Sequence, residues 1–226
     1  MLNQTEVNDF ILLGLTDAQG LQHLSFISFL LLYLTSLLGN GAIVTIVIAE
    51  PRLHTPMYFF LGNLSCLDIF YSTVTVPKML TGLLFGHQPI SFGGCLAQLH
   101  FFHFLGSTES VLLATMAYDR YVAICNPLRY TLVMNPRTCL LLAVASWSTG
   151  FVHAMMHSFM TSQLSFCGHN HIQHFFCDIK PLLKLACSST SLNMTLLSVV
   201  TTSIVLGPFI LIVLSYLYII SFVFQK

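Results

Sequence analysis

Charged residues are scarce in this sequence, which holds eight Lys or Arg and eight Asp or Glu among 226 residues. A soluble domain carries about 25% charged residues, whereas this chain carries 7%. So little charge cannot solvate the surface of a globule, which excludes an ordinary soluble domain. The formal net charge of zero leaves no basic field, so no nucleic-acid partner is expected.

Enzyme motifs are lacking as well. The sequence contains no glycine-rich phosphate loop, no H-E-x-x-H metalloprotease pair and no G-x-S-x-G nucleophile elbow. We therefore predict no enzyme activity and no catalytic residues. The first ten residues, MLNQTEVNDF, also lack the basic start and the cleavage site of a signal peptide, so the first apolar run is expected to serve as the insertion signal.

Long apolar runs are present instead, in a chain that is 55% hydrophobic with a mean hydropathy of +0.81. About 20 apolar residues cross the hydrocarbon core of a bilayer as a helix. Five runs reach this length, at 24–49, 57–77, 95–118, 138–160 and 196–224. The pattern predicts an all-α membrane protein with a helical bundle over 24–224, preceded by an N-terminal segment at 1–23.

The distribution of basic residues predicts the orientation of the bundle. The links at 50–56 and 119–137 carry four arginines and Lys226 follows the last run, whereas residues 1–23 carry no Lys or Arg. The positive-inside rule then places the N terminus outside and the C terminus inside. The long loop at 161–195 lies outside, where Lys180 and Lys184 are partly balanced by Asp178.

Three sequons compete as glycan acceptors, which must face the lumen. Asn3 lies in the outer N-terminal segment and is the predicted site. Asn63 falls inside the second run and cannot be modified, and Asn193 lies outside but close to the membrane.

The predicted topology places four of the seven cysteines on the outer side. An even number of cysteines in an oxidising compartment indicates two disulfides, with three possible connectivities. The alternative is four free thiols. The four are Cys95, Cys167, Cys177 and Cys187.

Three polar residues from three different runs fall at similar depth. At 1.5 Å per residue, Asn40, Asp68 and Glu109 each lie roughly 15–18 Å from the inner end of their helices. Two adjacent carboxylates cannot both ionise unless a cation lies between them. The sequence therefore predicts either a small internal cation site, most plausibly for sodium, or a hydrogen-bonded structural cluster without an ion.

The outer half of the third run, FFHFLGS at 101–107, has the residues of a small-molecule pocket. Phe102, His103, Gly106 and Ser107 lie roughly 10–18 Å into the bundle, and the last three share one helical face. Aromatic walls with one or two polar groups suit a small, mostly apolar ligand. The alternative is ordinary helix packing through small residues.

Three histidines in the outer loop also merit attention. His169, His171 and His174 lie near Cys167 and Cys177 and could indicate a metal site. Because disulfide formation would remove those cysteines as ligands, no transition-metal site is predicted.

Several long strings resemble those of vertebrate odorant receptors, a branch of the rhodopsin-like G-protein-coupled receptors. An Asp-Arg-Tyr triplet alone is weak, but several strings in the right order and topology are specific. The strings are LHTPMYFFLGNLS (53–65), MAYDRYVAIC (116–125), PLRY (127–130), HFFCDI (174–179) and SY (215–216).

The resemblance implies a rhodopsin-like helical bundle and assigns partners within it. It pairs Cys95 with Cys177 and Cys167 with Cys187. It makes Glu109 typical of the family, which favours the sodium interpretation of the polar layer. It also places His103, Gly106 and Ser107 of the third run, and Val200, Thr201 and Ile204 of the fifth, at positions that line odorant pockets.

The same resemblance implies a switch at the inner end of the third helix. Asp119 would hold Arg120 in the resting state through a charge-assisted contact. Activation would free Arg120, beside Tyr121, toward the G protein, with Tyr216 of the fifth helix coming to support it.

The family has seven spans, and this sequence contains five, which predicts a truncated member with impaired signalling. The implied function is a plasma-membrane odorant receptor that binds a small volatile and raises cyclic AMP through a stimulatory heterotrimeric G protein. The first alternative is a non-signalling membrane protein that associates with intact receptors in an oligomer. The second is a channel or transporter, which the absence of internal repeats disfavours.

Overall fold

Five long helices pack together in the computed structural model, which describes residues 9–13, 19–167 and 170–225. In the last of them the π-helical turn Leu197–Thr201 joins two α-helical parts, so that it runs without interruption over Ser191–Phe224. Each predicted apolar run lies within one of these helices. The α-helices are α1 Gln19–Ala49, α2 Pro56–Phe85, α3 Phe92–Cys125, the short α4 Tyr130–Val133, α5 Pro136–Ser162, the short α6 Ile179–Leu183, α7 Ser191–Leu196 and α8 Thr202–Phe224.

Among the described residues, four long helices are apolar enough to cross a membrane by length and composition, and α3 is not among them. This helix is 34 residues long, but it carries many polar side chains. It packs against α2, α5 and α8, so its polar residues face other helices. The buried polar residues of α3 are Gln98, His103, Ser107, Thr108, Thr115 and Asp119.

The limits of these helices follow from local sequence signals. Pro56 and Pro136 occupy the first turns of α2 and α5, where the missing backbone N–H costs nothing. The side chain of Asn135 caps α5 by accepting a hydrogen bond from the backbone N–H of Thr138 at 3.0 Å. Gly86 ends α2 with a φ of 76°, a conformation that favours glycine.

The N-terminal segment forms a strand at the end of the bundle that contains the disulfides. Strand β1 (Asp9–Leu12) lies between β2 (Gln88–Ser91), which is antiparallel to it, and β3 (His171–Ile172), which is parallel. Phe10 of β1 is completely buried, because it packs between the rings of Phe92 and Phe166. The predicted glycan acceptor Asn3 lies outside the described residues.

An apolar core, separate from the packing around Phe10, fills the space between α2, α3 and α5. It consists of Phe60, Leu67, Leu105, Leu112, Val122, Met134, Cys139 and Ala143. Gly150 allows α5 to approach α3 closely: a Cβ at this position would lie 2.6 Å from the carbonyl oxygen of Phe104 and 2.9 Å from the backbone nitrogen of Thr108. The small residue therefore sets the distance between the two helices.

Large apolar side chains cover the outside of the bundle. Leu38 of α1 is 74% exposed and Phe209 of α8 is 59% exposed, and many other large apolar side chains of these helices are exposed as well. A soluble protein rarely exposes apolar surface over such an area. The outer faces of α1 and α8 are therefore suited to contact lipid.

The close approach at Gly150 generates a prediction about stability. Gly150→Ala would force α5 away from α3, and overpacking of this kind costs about 1–3 kcal/mol. Gly41→Ala in α1 is the matched control, because a Cβ there meets no atom within 4 Å. In detergent, the thermal unfolding midpoint is expected to fall for Gly150→Ala and to hold or rise for Gly41→Ala. Equal midpoints for the two variants would contradict the packing argument.

Candidate functional site

Two histidines of α5 and two hydroxyl groups form a hydrogen-bonded chain that joins three helices. The hydroxyl of Ser107 in α3 lies 2.7 Å from Nδ1 of His153. Nε2 of His153 lies 3.1 Å from the hydroxyl of Thr201, in the π-helical turn, and 3.1 Å from Nε2 of His157. The hydroxyl of Thr201 also lies 3.2 Å from Nε2 of His157. The chain thus links α3, α5 and the last long helix inside the bundle.

Neutral histidines satisfy every partner in this chain. A neutral imidazole offers one N–H donor and one acceptor nitrogen. In one consistent assignment, Ser107 donates to His153, His153 donates to Thr201, and Thr201 donates to His157. The opposite direction satisfies the same atoms, because each hydroxyl can either donate or accept. The helices are therefore connected without any buried charge.

The two hydroxyl groups of this hydrogen-bonded chain contact other helices, unlike most nearby serine and threonine hydroxyls. Most serines and threonines of α3 donate to a backbone carbonyl of their own helix, as Ser110 does to Gly106 at 3.1 Å. Ser107 instead contacts another helix. Thr201 does the same from the last residue of the π-helical turn, an irregularity that often marks a functional site.

His103 lies beside this chain and borders an open cavity. Its Nδ1 lies 3.0 Å from the carbonyl oxygen of Leu99, so Nδ1 carries the proton and Nε2 is left as an acceptor. Its ring centroid is 5.5 Å from that of His157. The cavity measures about 500 Å³, and its lining includes His103, Asp178, Lys180, Ser198, Thr201 and Leu206.

Only two of the seven predicted ligand residues, His103 and Thr201, line that cavity. Val200 and Ile204 line a separate cavity of about 400 Å³, whose lining also includes His153. Positions 200 and 204 share one face of the last long helix, and Thr201 lies on the neighbouring face with Leu197 and Val205. Ser107 is buried in the hydrogen-bonded chain between the helices.

The remaining two predicted ligand residues face α2. The ring centroid of Phe102 lies 5.2 Å from that of Tyr71 and 4.8 Å from that of Phe176 in the outer loop. A Cβ at Gly106 would lie 3.5 Å from Tyr71. Phe102 and Gly106 therefore belong to the packing between α2 and α3.

The sequence reasoning missed His153 and His157. Both histidines lie in the fourth apolar run, at 138–160, for which the sequence analysis predicts only a membrane span. Their spacing of four residues was a usable signal, because it places both rings on one face of a helix. Both side chains are buried.

The three residues of the predicted cation site lie near one another. The side chain of Asn40 is close enough to Asp68 to interact with its carboxyl group, and Asp68 is close enough to Glu109 for the two carboxyl groups to interact electrostatically. Asn40 also lies 3.4 Å from the hydroxyl of Ser36. Asn, Asp and Ser oxygens and a second carboxylate are hard ligands of the kind that suit sodium.

Asp119 occupies the inner end of α3 and is buried there, with 1% of its surface exposed. One carboxylate oxygen accepts a hydrogen bond from Arg120 at 2.8 Å. The other accepts a hydrogen bond from the hydroxyl of Tyr130 in α4, also at 2.8 Å. Burial, together with the bond to Asp119 and its charge, raises the pKa of Tyr130 to about 12, so this phenol remains a donor at physiological pH.

Tyr130 was also missed by the sequence reasoning, although it ends the string PLRY. The other two predicted switch residues, Tyr121 and Tyr216, have different surroundings. Tyr121 packs edge to face against Tyr218 of α8, with 6.3 Å between ring centroids. The predicted partner Tyr216 is half exposed instead.

Two disulfides hold the outer loop: Cys95–Cys177 fastens it to α3, and Cys167–Cys187 joins two points within the loop itself. Gln98 adds to the first of them. Its side chain accepts a hydrogen bond from the backbone N–H of Cys177 at 2.9 Å and donates one to the carbonyl of Val74 in α2 at 3.0 Å. The loop is therefore tied to both α2 and α3 above the cavity.

The histidines of the outer loop do not form a metal site within the part of the chain that is described. No group of three or more His, Cys, Asp or Glu side chains there is arranged to bind a metal ion. His171 is exposed, and His174 stacks on Phe175. His169 lies outside the described residues.

Comparison with known proteins gives a consistent result over almost the whole sequence. Residues 29–226 match the olfactory receptor family. Olfactory receptor 12D1 of Homo sapiens is 63% identical over 226 residues, which are 100% of this chain and 71% of that receptor. Olfactory receptor 12D2 of Homo sapiens is 62% identical over 226 residues, 100% of this chain and 74% of the receptor. Olfactory receptor 1496 of Rattus norvegicus is 48% identical over 221 residues, 98% of this chain and 71% of the receptor.

The hydrogen-bonded chain generates a second prediction about stability. Ser107→Ala would leave Nδ1 of the buried His153 without a partner, at a cost of about 1–3 kcal/mol. Ser110→Ala in the same helix removes only a bond to its own backbone and is expected to change stability by about 0.5 kcal/mol or less. Thermal unfolding in detergent compares the two variants. Equal losses of stability would show that the Ser107 hydroxyl does not hold the helices together.

Proposed function

The chain belongs to the olfactory receptor family, and from this premise we propose that it binds a small volatile odorant and signals through a stimulatory heterotrimeric G protein that raises cyclic AMP. Olfactory receptors are G-protein-coupled membrane receptors and not enzymes. The chain therefore acts through binding and conformational change, without covalent chemistry.

The cavity beside His103 supports the binding proposal. Its size of about 500 Å³ is in the range of small-molecule sites. Leu197, Val205 and Leu206 supply apolar surface, and His103 and Thr201 supply polar groups. Because Nδ1 of His103 donates to Leu99, its Nε2 would accept a hydrogen bond from a ligand. We propose a mostly apolar odorant that carries a hydroxyl group.

The contacts of Asp119 support the proposed coupling to a G protein. The hydrogen bonds from Arg120 and Tyr130 hold the carboxylate in one arrangement, which we assign to the resting state. A ligand shifts such an equilibrium only by its difference in affinity for the two states. Odorant binding would favour the state in which Arg120 leaves Asp119 and becomes available to the G protein.

The proposed location is the plasma membrane, with the N terminus outside. The two disulfides lie at one end of the bundle, as an oxidising compartment requires. Arg52 and Arg129, in the connections, and Arg137, in the first turn of α5, lie at the opposite end, in agreement with the positive-inside rule.

We also propose that Asn40, Asp68 and Glu109 hold a sodium ion in the resting state. The support is the proximity of these three side chains and their oxygen ligands. A cation there would offset the repulsion between the two carboxylates. Loss of the ion would then change the balance between the two states of the bundle.

The sodium proposal predicts a specific dependence of stability on salt. At equal ionic strength, replacing choline by sodium should raise the thermal unfolding midpoint, and a tenfold excess over Kd corresponds to about 1.4 kcal/mol. Asp68→Asn should abolish the difference between the salts, and Glu50→Gln, on the exposed link between α1 and α2, should retain it. The proposal fails if sodium and choline give the same midpoint for the unaltered chain.

The odorant proposal predicts the effect of filling the cavity. A chimaera would join this chain to the segment that follows the matched region in human olfactory receptor 12D1, and reporter cells would be screened with a panel of odorants. Leu206→Trp, which fills the cavity, should abolish the cyclic AMP response to an odorant alcohol. Leu211→Trp on the same helix should preserve it, since Leu211 is exposed on the outer face.

A response that survives Leu206→Trp would place the odorant elsewhere. The 226 residues expressed by themselves are expected to give no agonist-driven response, because the receptor family has seven spans and the 226 residues contain five. A robust response from the 226 residues would contradict this expectation. Co-precipitation with an intact receptor, in the absence of any response, would favour the alternative of a non-signalling partner.

A further inference from the structure

An apolar groove opens at the end of the bundle opposite the disulfides. It measures about 520 Å³ and lies where the last turn of α1 meets the first turns of α2 and α5. The buried side chains of Met134 and Cys139 form part of its lining. Ile48, Phe59 and Leu140 also line it and are exposed, so the groove is accessible from the outer surface of the bundle.

Two arginines are the sequence neighbours of residues that line this groove and form part of its rim. Arg52 directly precedes the lining residue Leu53, and Arg137 directly follows the lining residue Pro136. Arg52 is 92% exposed and lies 3.9 Å from Glu50, a distance that gives only a weak pair in water. Arg137, in the first turn of α5, is exposed as well. Two arginines and one glutamate leave this rim with a net positive charge.

The chemistry of the groove and of its rim matches the two parts of a phospholipid. An acyl chain requires an apolar channel that opens to the bilayer, and an anionic headgroup requires basic side chains at the depth of the membrane surface. Guanidinium groups are especially suited to phosphate, which they bind through two parallel hydrogen bonds. The first turns of α2 and α5 add their partial positive charge at the same place.

We propose that this groove binds an anionic phospholipid of the inner leaflet, with one acyl chain along Ile48, Phe59 and Leu140 and the phosphate between Arg52 and Arg137. The proposal rests on the orientation proposed above, since anionic lipids are concentrated in the cytoplasmic leaflet. A lipid bound there joins α1, α2 and α5, and thereby stabilises the packing of the two helices that begin at the rim.

Native mass spectrometry of the detergent-solubilised chain tests the proposal. The probe is an equimolar mixture of dioleoyl phosphatidylserine and dioleoyl phosphatidylcholine. We expect each protein chain to retain one phosphatidylserine in preference to phosphatidylcholine. Each arginine is expected to contribute roughly fivefold to this preference, so Arg52→Gln with Arg137→Gln should lower it roughly 25-fold. The matching Lys replacements, Arg52→Lys with Arg137→Lys, keep the charge and should retain most of the preference.

Two further variants separate the groove from general charge attraction. Lys184→Gln removes an exposed cation at the opposite end of the bundle and should leave the preference unchanged, whereas Arg137→Gln alone should lower it roughly fivefold. Leu140→Trp fills the groove and should reduce the retention of phosphatidylserine even though both arginines remain. Helical circular dichroism and monodispersity would verify that each variant is folded.

Equal retention of the two lipids by the unaltered chain would overturn the proposal. Undiminished retention of phosphatidylserine by Leu140→Trp would also overturn it. A third contrary result would be a loss of lipid preference in Lys184→Gln as large as the loss in Arg137→Gln. Soluble glycerophosphoserine, which has the headgroup but no acyl chain, should not displace the lipid. Displacement would show that the arginines bind the phosphate alone and that the groove does not contribute. Lipid retention requires neither odorant nor G protein, so its failure leaves the proposed receptor function untouched.

Discussion

A polar group buried in an apolar bundle without a partner costs roughly 1–3 kcal/mol, and lipid offers it no alternative. The central helix α3 carries half of the buried polar side chains among the described residues, so its position depends on the partners that other helices supply. Gln98 meets α2 and the outer loop, Ser107 meets α5, and Asp119 meets Tyr130. Among the described residues, only Thr161 has a buried side-chain oxygen or nitrogen without a hydrogen-bond partner.

The same constraint accounts for the arrangement of the functional parts. The hydrogen-bonded chain that joins α3 to α5 and to the π-helical turn also borders the cavity, so a ligand at His103 lies next to the contacts that hold the helices together. The pair of Asp119 and Arg120 lies at the far end of the same helix. A ligand that changes the packing around α3 can therefore influence both ends of the bundle, as expected of a receptor with two states.

The long helices, the cysteine-rich outer end and the exposed position of the basic links could be predicted from the sequence, because each depends on composition or local order. The identity of the cavity lining could not. Val200 and Ile204 line a different cavity from Thr201, because these residues lie on two faces of one helix and the packing of the other helices determines which gap each face borders. His153 and Tyr130 acquire their roles through contacts 46 and 11 residues away along the chain. Likewise, strand β1 forms only because β2 and β3, which are distant in the sequence, provide its hydrogen-bonding partners.

A double-mutant cycle between Ser107 and His153 tests the claim that partnered polar groups fix the position of α3. The cycle compares Ser107→Ala, His153→Phe and the double variant by their thermal unfolding in detergent. If the contact joins the helices, the double variant will be more stable than the sum of the single losses predicts, with a coupling of about 1 kcal/mol or more. If the losses add to within about 0.5 kcal/mol, the hydrogen-bonded chain does not govern the packing of α3 and the account is wrong.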